Sequence, residues 1–169
     1  MKLRNILLEI GDSSAIPPAA SFKMDKYEGT VSFNFLGDKY KIFIKFAYNE
    51  IAMDSGKRVA IVVDFFANND KDAVMTNRGQ AIKTMSYVVG CLEEWLKRYK
   101  DKFGEIELVY IKFNPKSESS EEKGDETVNK RDKLYRAYID KFARKYGSRV
   151  NYTVSGGVVS KFEPNISIK

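Results

Sequence analysis

The chain has no histidine, one cysteine and four prolines among its 169 residues. Without histidine there is no imidazole general base, no Ser-His or Cys-His nucleophile pair, and none of the commonest zinc and iron ligands. Proton chemistry therefore falls to Asp, Glu, Tyr, Lys, Ser or backbone groups. A lone Cys91 excludes an internal disulfide, and its place in the middle of a helical pattern reads as a small buried residue rather than a nucleophile. No apolar run approaches the roughly 18 to 20 residues of a membrane span. The opening "MKLRNILLEIGDSSA" has too short an apolar part, and keeps too many acids, for a secretory signal. The expectation is a soluble, cytoplasmic protein with no membrane partner and no resident metal.

With 43% hydrophobic and 13% aromatic residues, the chain has material for one core, and residues 1–169 are expected to form a single domain. The N-terminal segment, residues 1–28, is the least patterned. Lys2 to Ile10 fits a short helix or a strand, and "GDSSAIPPAAS" is a loop fixed by Pro17 and Pro18. From Gly29 the stretch "GTVSFNFLGDKYKIFIKFAY" alternates on both sides of Gly37-Asp38 and predicts a β-hairpin. Val31, Phe33 and Phe35 share one face, matched across the turn by Ile42, Ile44 and Phe46. "RVAIVVDFF" adds a third strand and completes an antiparallel meander.

After "ANNDKDAVM" the apolar spacing changes to three and four. Ile82, Met85, Val89, Leu92, Leu96 and Tyr99 form one stripe of a long helix. Asn77 and Gln80 have capping-box spacing at its start, and Lys97, Arg98, Lys100 and Lys102 suit its C-terminal dipole. "IELVYIKF" is a strand that returns to the sheet as a βαβ crossover. Residues 114–129, "NPKSESSEEKGDETVN", carry five acids against two lysines and read as a mobile acidic loop. A second helix is expected from about Lys130 to Tyr146, capped by Gly147. "VNYTVSGGVVSKFEP" then supplies one or two closing strands, broken at Gly156-Gly157. The fold class is α/β (α+β): a mixed, mostly antiparallel central sheet with two main helices packed on it.

The strand and helix order from Thr30 to Glu163 resembles that of the GNAT (Gcn5-related N-acetyltransferase) superfamily. "TNRGQA" places Gly79 and Ala81 where that superfamily's pyrophosphate motif has its small residues, with Thr76 where Gln or Arg is usual. Small residues at a helix start let the backbone approach an anion, and free N–H groups there bind its oxygens. The resemblance implies acetyl-CoA as cofactor, its pyrophosphate held by Asn77, Arg78, Gly79, Gln80 and Ala81. In "NKRDKLYRAY" Tyr135 matches the tyrosine that protonates the departing thiolate, with Arg131 where a small residue is usual. Core packing through its ring is the rival role. Asp64 or Glu50 would serve as base toward an amine acceptor, a small molecule or a protein, or water would relay the proton.

The chain also resembles, over most of its length, small uncharacterised GNAT-like proteins of tailed bacteriophages, through "TNRGQAIKTMSYVV" followed by "RDKLY". That resemblance implies a catalytically silent protein of the host cytoplasm or the virion, either a virion component or a host-directed binding module. The charge supplies a third reading. Lys130, Arg131, Lys133, Arg136, Lys141, Arg144, Lys145 and Arg149 outweigh Asp132 and Asp140 by +6, the net charge of the whole chain. Such a helix is either the solvated side of an amphipathic element or a nucleic-acid-facing surface. Tyr138 and Tyr146 lie on its apolar face and are expected in the core.

Overall fold

A computed structural model describes residues 15–52, 56–68, 78–114, 125–154 and 157–169. In chain order it contains β1 (Ser21–Met24), β2 (Glu28–Phe35), β3 (Asp38–Ala52), β4 (Gly56–Ala67), α1 (Arg78–Phe103), β5 (Ile106–Phe113), α2 (Asp125–Lys145), β6 (Arg149–Val154) and β7 (Val158–Ile168). The strands form one seven-stranded sheet in the order β1-β2-β3-β4-β5-β7-β6. β4 and β5 are parallel, and every other neighbouring pair is antiparallel. The fold is thus mixed α/β, with a mostly antiparallel open sheet and two helices.

Strand alternation places Val31 and Phe33, Ile42 and Ile44, and Ile61 and Val63 on one buried face, as their spacing predicts. The β2–β3 turn centres on Leu36 (φ 50°) and Gly37 (φ 83°), one residue earlier than Gly37-Asp38. Two left-handed residues match the twist of the flanking strands. In β5 the alternation slips once. Leu108 pairs with Val59 and Tyr110 with Ala60, so Val109 is an extra residue, and Ile111 and Phe113 return to the buried face beyond it.

Both helices pack on that buried face. In α1, Met85, Val89, Leu92, Leu96 and Tyr99 of the expected stripe are buried, together with Val88, Cys91 and Trp95. The Trp95 indole N–H donates to the Lys23 carbonyl at 3.1 Å, and the Tyr99 hydroxyl donates to that of Lys26 at 3.0 Å. Gly29 lies directly beneath the indole, where a Cβ would collide with Trp95 Nε1 and the Lys23 carbonyl. Strand β1, the partner in this contact, was not expected: "SFKM" is too short to show a period. Burial pushes the Cys91 thiol up to about 12, with a smaller push from the charge of Glu94, in keeping with an inert cysteine.

Helix α2 begins at Asp125, not Lys130, so residues 125–129 are helical rather than part of the acidic loop. Residues 115–124 of that loop, the Lys2–Ile10 segment, Thr76 and Asn77 lie outside the described residues. α2 ends where expected, with Gly147 at φ 72° and the Ser148 N–H donating to the Ala143 carbonyl at 2.9 Å. Tyr138 is buried and donates to the Ile82 carbonyl of α1 at 3.1 Å.

A second link between the helices is ionic. Glu93 of α1 is buried, accepts the Tyr146 hydroxyl at 2.6 Å, and pairs with Lys145 Nζ at 2.9 Å. Burial alone would raise its pKa, but the Tyr146 and Lys145 bonds and the charge of Lys97 outweigh burial and hold it below the ordinary glutamate value. A depressed folded pKa contributes stability that is present above the unfolded pKa, about 4.3, and lost as pH falls through the folded one. Glu93→Gln is expected to lower stability by about 1–2 kcal/mol at neutral pH and to flatten the acid limb below pH ~4.3. Urea midpoints of both proteins between neutral and acid pH would check this, and parallel curves would refute it.

Candidate functional site

Two regions carry the residues singled out in the sequence. The first surrounds the C-terminal ends of the parallel strands. Arg78, Gly79, Gln80 and Ala81 form the first turn of α1, whose leading N–H groups have no partner within the helix itself. Tyr135, on α2, is 1% exposed, and its ring centroid lies 4.5 Å from that of Phe113 at the end of β5. Asp64 faces the other way. It alternates with the buried Val63 and Phe65, and its carboxylate accepts the Asn114 side-chain amide at 2.8 Å. The sheet therefore separates Asp64 from Tyr135. Glu50 pairs in register with Arg58 near the far end of β4.

β4 and β5 stay paired from Lys57–Ile106 to Val63–Phe113. The Asn114 N–H then donates to the Val63 carbonyl at 3.1 Å, and the Asn114–Asp64 side-chain bond extends the join by one more residue. No gap separates the two strands along this length, and the apolar Phe113–Tyr135 contact covers the helix side of their ends. Tyr135 packs its ring against Phe113 and is buried here.

The second region is an open cleft of about 650 Å³ between α2 and β6. Lys133, Arg136, Asp140 and Arg144 recur at intervals of three and four along α2, and so line its outer side. The opposite wall is Ser148, Arg149, Val150 and Tyr152. The Arg136 guanidinium lies over the Tyr152 ring, 4.8 Å from its centroid. The Tyr152 hydroxyl sits 2.8 Å from the Arg136 carbonyl oxygen and 2.9 Å from Asp140 Oδ1, and shares its proton between them. Burial first, and then the charge of Asp140, push the Tyr152 phenol far above its ordinary value. It is a fixed donor and not a proton-transfer group.

The cleft thus presents four cations, Lys133, Arg136, Arg144 and Arg149, with Asp140 as its carboxylate among the described residues. That carboxylate is already engaged by Tyr152. The basic stretch of the sequence is divided by the fold, because Lys145 turns to Glu93 and leaves the cleft. Sequence reasoning found the basic residues but not the cleft or Tyr152. The inward parity of Val150 and Tyr152 in "RVNYTV" was the available signal.

Among the described residues no group of three or more His, Cys, Asp or Glu side chains could hold a metal ion. No described helix is long and apolar enough to cross a membrane. No family model, no curated protein and no solved structure matches the chain.

Tyr152→Phe removes the hydroxyl that ties β6 to α2. Chemical denaturation is expected to show a loss of about 1 kcal/mol with the fold retained. An unchanged midpoint would mean that the hydroxyl adds nothing to the join.

Proposed function

We propose that the chain is a GNAT-like protein that works as a binding module, taking the phosphates of nucleic acid into the cleft between α2 and β6. The observation that carries this reading is the convergence of Lys133, Arg136, Arg144 and Arg149 on one cleft whose Asp140 is engaged by Tyr152. Guanidinium groups bind phosphate oxygens bidentately, and each phosphate neutralised releases counterions. Such binding reads the backbone and not the sequence. The basic face belongs to a helix that needs a polar side in any case, so its test is functional.

A second reading is favoured by the sheet order. A single parallel pair, β4 and β5, is joined through a helix whose first turn is Arg78-Gly79-Gln80-Ala81, the arrangement expected of an acetyltransferase moving an acetyl group from acetyl-CoA to an amine. In that reading these residues surround the pyrophosphate, Tyr135 is the acid and Asp64 the base. The paired state of β4 and β5 does not fit a cofactor lying between them, so this reading requires the strands to part and Tyr135 to become exposed. The binding-module reading requires neither change.

Retention on immobilised duplex DNA is expected at low salt, falling steeply as salt rises, with a logarithmic slope of roughly −3 to −4 for three to four phosphates. Arg136→Glu combined with Arg144→Glu should abolish it, and retention equal to the wild type would overturn the reading. Calorimetric titration with acetyl-CoA, beside Gly79→Glu, separates the alternatives. The first reading expects no heat from either protein, while binding by the wild type that the variant loses would establish the second.

A further inference from the structure

The face of the sheet turned away from α1 and α2 carries neither of the described helices, and it is not uniformly polar. Phe43 of β3 is 38% exposed there, and its ring lies 5.4 Å from that of Phe66 on β4, at an interplanar angle of 55°. Lys41 pairs in register with Phe66 and holds its ammonium 5.5 Å from the centre of the Phe43 ring. Lys23, Lys45 and Lys112 occupy the same face, on β1, β3 and β5. Asp25, Glu28 and Asp64 are the acids around them; Asp25 accepts the Tyr27 and Glu28 backbone N–H groups, and Asp64 accepts the Asn114 amide. A shallow depression of about 620 Å³ runs over this patch, with Thr30, Phe43, Lys45, Asp64 and Phe66 in its lining.

Aromatic rings on a sheet surface, bordered by cations, suit one kind of partner. An unstacked base has a π-face for the ring, and its phosphate reaches the neighbouring ammonium groups. A duplex offers no free base face, and an apolar protein surface has no use for the surrounding lysines. The geometry points to the Phe43–Phe66 pair as a stacking platform for single-stranded nucleic acid, with Lys41 and Lys45 taking the adjoining phosphates. This surface is separate from the α2–β6 cleft and reads a different property of the ligand, the exposed base instead of the backbone alone.

The test uses a fluorescein-labelled oligothymidylate of about twelve nucleotides, within the span of sheet-type sites, and an abasic oligomer of equal length. Phe43→Ala with Phe66→Ala should weaken anisotropy-detected binding of the oligothymidylate by roughly tenfold or more and leave the abasic oligomer unchanged. Phe43→Trp guards against a misfolded double variant. It should keep the affinity and show quenching of its emission on oligothymidylate binding, against the constant background of Trp95, which is fully buried. Equal affinity for both oligomers, or no quenching in Phe43→Trp at saturation, would overturn the platform. Quenching should persist when Arg136→Glu and Arg144→Glu are added, so failure of the cleft and failure of the platform give different results.

Discussion

The two helices share one face of the sheet, as two parallel crossovers of the usual hand must when they travel the same way across it, from β4 to β5 and from β5 past β7 to β6. Everything else in the molecule is arranged around that constraint. It gathers the apolar side of every strand into a single core, and it sets α1 and α2 side by side so that Glu93 can meet Lys145 and Tyr146. It also lays α2 over the end of the sheet, where β6 returns beside it and makes the basic cleft. Among the described residues the reverse face carries mostly polar side chains, with the Phe43–Phe66 pair, Val62 and Val159 between them.

Much of this was legible in the residues. The hairpin, the long helix, the crossover strand and the C-terminal cap each rest on a local period or a special backbone position, and these survive in the fold. Asp64 was legible as well: between Val63 and Phe65 its parity alone sends it away from the helices. Tyr135 was not. Ring burial against Phe113 depends on Val109, the inserted residue in "IELVYIKF", which shifts the alternation so that Phe113 faces α2. A strand read with strict period two would turn Phe113 to the other side. The missed β1 and the late start assigned to α2 share one cause. Four residues, or one helical turn rich in acids, carry too little periodicity to compete with a loop composition.

The cleft shows why a charge count underdetermines a surface. Eight basic residues in 130–149 form one block in sequence, yet the fold turns five of them toward three environments. Lys145 joins the interhelical ion pair, Arg136 stacks on Tyr152, and Lys133, Arg144 and Arg149 stand in the open. Long basic side chains of this kind bury their stems and keep their heads in water, so the helix can serve the core and present charge at once.

An open sheet has two strands with a free side, here β1 and β6. Such strands can recruit copies of themselves, and the hazard grows with length, flatness and apolarity. β1 is only four residues long. β6 is longer and ends in Val154, 68% exposed, but it also carries the charged Arg149 and the polar Asn151 and Thr153, all exposed. The arginine that contributes charge to the cleft therefore also discourages strand-to-strand stacking between molecules. Neutralising it would bear on solubility as well as on the charge of the cleft.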